Sequence, residues 1–233
     1  MQTIACRNVA GCVALCLLMA LGWPRPASAA SVLQGQLAAA LAVRPNRAHG
    51  AQLFEFCAHC HGLDGGGSAD GTVPAIAAQA PSVLIRQLLE YRVAQRSDLR
   101  MGAAAHTQRL PDAQALADVA AYVGSLPVAA RSAGGDTPAP GHETPGRETP
   151  AVEASAGDAY ARLCASCHGA AGQGGDEAPR LAGQRYPFLL QRLTDAAAGR
   201  DLQPVHAPLL GRLEPEDLAA LAAYLEQLRP AGR

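Results

Sequence analysis

Four of the seven cysteines form two C-x-x-C pairs, and a histidine follows each pair at once. The residues concerned are Cys57, Cys60 and His61 in the first motif, and Cys164, Cys167 and His168 in the second. Thiols three residues apart on one helical turn can reach the two vinyl groups of one porphyrin and bond to it as thioethers. The imidazole that follows then lies under the ring, where it can bind the iron. C-x-x-C-H is the attachment signature of haem c, so the spacing predicts two covalently bound haem c groups.

Three other chemistries use C-x-x-C pairs, and each fits this chain less well. A four-cysteine zinc site usually separates its pairs by about 12–20 residues, whereas Cys57 and Cys164 lie 107 positions apart. A redox dithiol would sit in a thioredoxin-like βαβ pattern, which the sequence lacks. Two disulfide staples would leave both histidines without a role. We therefore interpret both motifs as haem sites.

The motifs belong to a longer duplication, which must position them. Each motif precedes a glycine-rich loop, and the pattern P-x-x-A-x-Q then appears twice, as Pro74–Gln79 and as Pro179–Gln184. A stretch with apolar residues at helical spacing follows each time, from Val83 to Arg92 and from Phe188 to Ala197. Each repeat is predicted to be an all-α unit of about 80 residues, around a core to which the haem contributes much apolar surface.

Each repeat closes with its clearest helical pattern. Pro111 and Pro215 are predicted to occupy the first turns of these helices, where proline is tolerated, and Leu126 and Leu228 to end them. Between the repeats, residues 129–153 are rich in Pro, Gly, Thr and Glu, which predicts a flexible linker. The fold class expected is all-α, with two tandem domains at residues 31–128 and 154–233 joined by this Pro/Gly-rich linker.

The first 30 residues have the pattern of an export signal. Arg7 precedes an apolar stretch from Val9 to Trp23, and a run of small residues follows from Ala27 to Ala30. About 15 apolar residues fall short of the roughly 20 that a membrane-spanning helix needs. The pattern predicts cleavage near Ala29–Ser31, a periplasmic protein, and no stable membrane insertion after cleavage.

The charge balance argues against one class of partner. The formal net charge is −1, all 19 basic residues are arginine, and no basic run is present. Nucleic-acid binding is therefore not expected.

Each half resembles a class I cytochrome c, and the tandem resembles the cytochrome c4 family of two-haem bacterial proteins. The resemblance covers about residues 45–127 and 154–229 and rests on the two C-x-x-C-H motifs, the P-x-x-A-x-Q segments and the closing helices with Ala-Ala-Tyr. It implies periplasmic electron transfer, often to a terminal oxidase, and a methionine as distal iron ligand before each closing helix. Met101 occupies that place in the first half, with His106 as the reserve candidate.

The second half departs from this pattern, because it contains no Met, no Lys and no further Cys. His206 is the remaining strong candidate, 38 residues after His168, against 40 from His61 to Met101. The neighbouring prolines, Pro204 and Pro208, favour an extended, stiff loop. His206 is therefore predicted as the distal ligand of haem 2. The open alternative is an iron that is five-coordinate or bound to water.

The predicted function is that of an electron carrier without substrate chemistry, whose partners are redox proteins such as a terminal oxidase, a cytochrome complex or a dehydrogenase. Methionine ligation raises the haem potential relative to ligation by two imidazoles, so haem 2 is expected to have the lower potential. If His206 does not bind iron, a haem enzyme of peroxidase type or a ligand-binding haem protein becomes the alternative.

Overall fold

The computed structural model describes residues 29–128, 150–200 and 204–229. Within these ranges the chain is helical and contains no strand, which confirms the all-α prediction. The predicted export signal up to residue 28 and the predicted linker from residue 129 to 149 lie outside the described residues. The described residues form ten helices: α1 (Ala29–Ala42), α2 (Arg47–His61), α3 (Pro81–Arg92), α4 (Leu99–Ala104), α5 (Ala113–Ser125), α6 (Pro150–Leu163), α7 (Ala165–His168), α8 (Tyr186–Ala197), α9 (His206–Leu210) and α10 (Pro215–Gln227).

In the first half, α2 crosses α5 at very close range. A Cβ atom at Gly50 would lie 2.0 Å from the carbonyl oxygen of Asp118, so only glycine allows this approach. One turn along, the rings of Phe54 and Tyr122 meet with centroids 5.4 Å apart. The core around the crossing is apolar and also takes in Leu33 of α1. This crossing fixes the end of α2, which carries the first C-x-x-C-H motif.

Asp118 is a buried carboxylate that holds the start of α2. Its Oδ1 accepts hydrogen bonds from the Asn46 backbone N–H at 2.6 Å and from Gln114 Nε2 at 2.7 Å, and its Oδ2 lies 2.7 Å from His49 Nδ1. Burial alone would raise the pKa of Asp118, but these bonds outweigh it and lower the pKa. The side chain of Asn46 in turn accepts from the first N–H groups of the helix.

The second half repeats the crossing with α6 and α10, but less tightly. The rings of Tyr160 and Tyr224 stand 5.8 Å apart, and a Cβ at Gly157 would lie 3.3 Å from Tyr224 Cε2. Among its described residues, the second half has no counterpart of Asp118 at this crossing. Instead, α10 begins with a capping box, in which the side chain of Glu214 accepts from the Asp217 backbone N–H and that of Asp217 accepts from the Glu214 backbone N–H.

Four local features differ from the sequence-based expectations. Helix α1 was not predicted, although Leu33 and Leu37 lie one helical turn apart and both contact the first core. Helix α6 begins at Pro150, three residues before the end of the segment that composition assigned to the linker. Pro111 precedes α5, because Asp112 caps that helix, whereas Pro215 occupies the first turn of α10 as predicted. The fourth difference concerns His206 and is described with the sites.

The two P-x-x-A-x-Q segments face each other across the contact between the halves. Gln184 Oε1 accepts from the Ala75 N–H at 3.0 Å, and Gln184 Nε2 donates to the Ala75 carbonyl at 2.7 Å. Gln79 makes the same pair with Arg180: its Oε1 accepts from the Arg180 N–H at 2.8 Å, and its Nε2 donates to the Arg180 carbonyl at 3.0 Å. The halves are thus joined by two reciprocal pairs of buried hydrogen bonds.

Candidate haem sites

The first C-x-x-C-H motif occupies the last turn of α2. The second motif begins directly after α6, at a break in the helix. Cys164 has a non-helical backbone (φ −122°, ψ −36°) and the one-turn helix α7 then carries the rest of the motif. Both motifs end at a glycine in the left-handed region of φ, at 78° for Gly62 and 80° for Gly169. A residue with a side chain is strained there, so glycine lets the chain turn sharply away beneath the histidine.

The histidines of both motifs are buried and anchored in the same way. Nδ1 of His61 lies 2.9 Å from the Pro74 carbonyl oxygen, and Nδ1 of His168 lies 2.8 Å from that of Pro179. Burial lowers the pKa of both imidazoles, while the bond to the proline carbonyl opposes the shift. A neutral imidazole that donates from Nδ1 keeps the lone pair of Nε2 for a metal. Both side chains therefore have the form that an iron ligand requires.

The four cysteines are unpaired, and the two motifs expose them alike. The first thiol of each pair, Cys57 or Cys164, is partly buried, and the second, Cys60 or Cys167, is exposed. Burial raises the pKa of Cys57, and burial together with nearby Cys167 raises that of Cys164 to about 11. All four are thus free to form thioethers with vinyl groups.

Met101 lies in the short helix α4, between α3 and α5. The side chain of Asp98 caps this helix by accepting from the N–H groups of Arg100 and Met101, at 2.9 and 3.1 Å. Arg92, at the end of α3, donates to the carbonyls of Ala105 and Leu110, both at 2.8 Å. These bonds fix the segment that carries Met101. The reserve candidate, His106, is exposed, and its Nδ1 accepts from the Gln108 N–H.

His206 stands opposite His168 in the second half. The centroids of the two imidazoles are 6.2 Å apart and their planes differ by 25°. Two imidazoles on opposite sides of one iron, each about 2 Å from it, have centroids roughly 6 Å apart. His206 also lies nine residues beyond the end of α8 at Ala197, and Met101 lies nine residues beyond the end of α3 at Arg92.

The expected extended loop around His206 was wrong. His206 is the first residue of α9, and Pro208 is its third. Proline is tolerated in the first turn of a helix, because its missing N–H has no partner there in any case. Pro208 therefore lies in the first turn of a helix, and Pro204 lies in the turn that precedes it.

Arg180 is a buried cation between the halves that lacks an anionic partner in the described part of the chain. Its side chain donates to the carbonyls of Ala182 and Ala77, the latter at 3.0 Å, and its Nε is buried without a hydrogen-bond partner. Burial lowers the pKa of Arg180 to about 10, so the group remains charged at neutral pH. A haem carries propionate carboxylates, which are the kind of anion that such a guanidinium binds.

The residues present therefore fit the group that the motifs predict. Each half offers two free thiols and a buried imidazole that donates from Nδ1, and the 6.2 Å between the imidazoles of the second half leaves room for an iron. Over residues 29–128, 150–200 and 204–229, no cluster of three or more His, Cys, Asp or Glu side chains could hold a bare metal ion.

Two small helical domains, each with a C-x-x-C-H motif at the end of the helix that crosses the closing helix or directly after it, define a tandem class I cytochrome c. The family model for cytochrome c matches residues 47–127 and 154–229, and the chain belongs to the cytochrome c family. Its domains bind haem c covalently, and it is a two-haem protein similar to cytochrome c4.

Comparisons along most of the chain agree. Cytochrome c-552 of Acidithiobacillus ferridurans is 28% identical over 176 residues, which are 74% of this chain and 73% of that protein. Reduced recombinant cytochrome c4 from Pseudomonas stutzeri superposes with a TM-score of 0.61 at 25% identity, over 80% of this chain and all of that one. Thiosulfate dehydrogenase from Marichromatium purpuratum superposes with a TM-score of 0.60 at 31% identity, over 78% of this chain but 40% of that one. The similarity to cytochrome c-552 and cytochrome c4 supports electron transfer as the role of this two-haem protein.

Sequence reasoning missed three positioning features. Arg92, Arg180 and the pairing of the two glutamines act through backbone groups that are distant in sequence. The repeated P-x-x-A-x-Q pattern was visible, but its partner in the other repeat was not, because repeats pair only once the halves have docked.

Proposed function

We propose that this chain is a periplasmic two-haem carrier in which His61 and Met101 ligate the iron of haem 1, and His168 and His206 ligate that of haem 2. The four thioethers would come from Cys57, Cys60, Cys164 and Cys167. The observation that carries the proposal is the opposition of His168 and His206 at 6.2 Å between ring centroids. A guanidinium at Arg180, buried without an anion from the described residues, is suited to hold a propionate.

When bound, haem supplies a one-electron ferric/ferrous couple, and the protein sets its potential through the distal ligands. The Met101 thioether stabilises ferrous iron, whereas the His206 imidazole is the stronger donor and stabilises ferric iron. Axial ligation spans about 0.8 V across haem proteins, and a gap on the order of 100–300 mV between the two halves is reasonable. An electron that enters from either side would then rest in the first half.

The alternative is an open iron in the second half, with enzymatic or ligand-binding chemistry. The 6.2 Å between the ring centroids of His168 and His206 supports ligation over an open site, because a bound imidazole would have to leave before a substrate could bind.

The proposal extends to location, domain limits and partners. Removal of the first 30 residues near Ala29–Ser31 would leave domains at 31–128 and 154–233, joined by a linker at 129–153. No helix in the described ranges is long and apolar enough to cross a membrane. The partners would be a terminal oxidase, a cytochrome complex or a dehydrogenase. A relative from Thiomonas intermedia, 36% identical over 75 residues, is named as an electron acceptor of thiosulfate dehydrogenase, which supports a dehydrogenase as electron donor.

A potentiometric titration with low-temperature spin-resonance spectra tests the function on the haem-loaded protein. We expect two one-electron waves and two ferric signals, one of the His/Met type and one of the bis-His type. A single wave with both haems at high potential would contradict bis-His ligation. Carbon monoxide binding to the fully reduced protein at haem 2 would instead establish the open site.

A further inference from the structure

We propose that each half tunes the iron ligand of the other half through its glutamine: Gln184 acts on His61, and Gln79 acts on His168. This inference rests on the proposed function, since it takes both histidines as proximal ligands. It concerns positioning residues, because each glutamine bonds to the peptide group that holds a histidine and would act on that histidine through this group.

In the first of these contacts, the histidine and the glutamine bond to the same peptide group. The peptide between Pro74 and Ala75 accepts from His61 Nδ1 at its carbonyl oxygen, at 2.9 Å, and donates from its N–H to Gln184 Oε1, at 3.0 Å. The glutamine of the second half therefore bonds to the same amide that anchors the histidine of the first half.

The second contact between a glutamine and a histidine-bearing peptide repeats this arrangement. The peptide between Pro179 and Arg180 accepts from His168 Nδ1 at 2.8 Å and donates to Gln79 Oε1 at 2.8 Å. The second hydrogen bond of each glutamine, from Nε2 to the next carbonyl, holds the side-chain amide in register. Both glutamine contacts thus use the same atoms in the same roles.

Burial makes these bonds effective. Gln79 and Gln184 are 6% and 3% exposed, and His61 and His168 are 6% and 8% exposed. Hydrogen bonds in series polarise each other, and they are stronger where water is excluded. When a glutamine oxygen accepts from the peptide N–H, the carbonyl oxygen of that peptide becomes a better acceptor for the imidazole N–H.

The sign of the effect follows from the histidine. A stronger bond at Nδ1 makes the imidazole more basic at Nε2, and a more basic ligand stabilises ferric iron. Each glutamine is therefore expected to lower the potential in the half to which it does not belong. Docking of the halves and the potentials of both sites are linked by this arrangement.

The test replaces the glutamines one at a time in the haem-loaded protein. Gln184→Leu is expected to raise the potential of haem 1 and leave haem 2 nearly unchanged, and Gln79→Leu to do the reverse. The expected change in each redox equilibrium constant is about two- to tenfold, which corresponds to about 20–60 mV. The chemical shift of the His61 or His168 Nδ1 proton should move with the potential of the same half.

The matched control loosens the contact without touching the peptides. Ser82 Oγ donates to the Asp176 carbonyl at 2.8 Å, and Arg86 Nη2 donates to the Glu177 carbonyl at 2.8 Å, both at the exposed edge of the contact. The double variant Ser82→Ala with Arg86→Ala should leave both potentials and both Nδ1 protons in place. If it reproduces the glutamine effects, or if each glutamine variant shifts its own half, the proposal is overturned.

Two further measurements keep the test decisive. If a leucine variant does not fold, Gln184→Asn and Gln79→Asn withdraw the amide by one methylene and are expected to show the same crossed shifts. Spin-resonance spectra of the unaltered protein report the distal ligands separately. A failure of His206 ligation would therefore appear there, whereas a failure of the crossed effect would appear only in the variants.

Discussion

His206 stands where the first half has Met101, and this single difference is proposed to separate the two potentials. His206→Met should raise the lower potential and narrow the gap by at least tenfold in the redox equilibrium constant, or about 59 mV. A potentiometric titration measures this rise in potential, and spin-resonance spectra should show the loss of the bis-His signal. His106→Met is the matched control, since His106 is exposed in the first half. An unchanged lower wave in His206→Met would show that His206 is not a ligand.

At the residue scale, local spacing carried most of the site. The cysteines and histidines of both motifs follow from spacing within five residues, and Met101 and His206 follow from counting along each repeat. The role of Arg180 could not be predicted from spacing, because it depends on residues that are distant in sequence. Its guanidinium donates to the Ala77 carbonyl, 103 residues away in sequence, and its Nε is buried without a hydrogen-bond partner.

Among the elements, the crossing of α2 and α5 is the least tolerant contact. Gly50→Ala would place a Cβ 2.0 Å from a backbone oxygen, and such overpacking typically costs about 1–3 kcal/mol of unfolding free energy. Gly157→Ala is the matched variant in the second half, where the nearest atom lies at 3.3 Å on a tyrosine ring. There the higher helix propensity of alanine offsets the contact. Guanidinium unfolding of the haem-loaded protein measures both, and equal losses would refute the difference between the crossings.

The Asp118 clamp gives the first half a pH-dependent stability. Because the pKa of Asp118 is lower in the folded state, its contribution is present above the unfolded pKa of about 3.9 and is lost as pH falls through the folded value. Asp118→Asn should therefore reduce the unfolding free energy at pH 7 by about 1–3 kcal/mol, since its hydrogen bonds weaken. The loss should shrink at the lowest pH, where both proteins are neutral at this position. A loss that is constant with pH would contradict this account.

At the element scale, periodicity predicted α3, α8 and the two closing helices well, but it missed the 14-residue helix α1 and the short helices. The amphipathic stretches became α3 and α8, and Leu126 and Leu228 cap the closing helices as expected. Short helices such as α4 and α9 have too few turns for a period to show. Their formation depends on caps and tertiary contacts, such as those of Asp98 and Arg92.

For the whole molecule, Arg180 tests whether the contact between the halves includes a haem carboxylate. Arg180→Met should cost the haem-loaded protein about 3–5 kcal/mol of unfolding free energy, because a buried propionate would lose its partner. Arg212→Met, at an exposed position, should stay within about 0.5 kcal/mol. Chemical denaturation followed by haem absorption gives both values. A neutral or stabilising Arg180→Met would show that the guanidinium is buried without an anion, since apolar replacement is then favourable.

The reciprocal bonds of Gln79 and Gln184 also bear on how this protein comes apart when heated. Each half completes the backbone of the other at Ala75 and Arg180, so the loss of either half strips four buried bonds from its neighbour. The pair should therefore melt in one cooperative transition, although each repeat has its own core and its own haem. Duplication would then have produced a single thermodynamic unit from two copies of one fold.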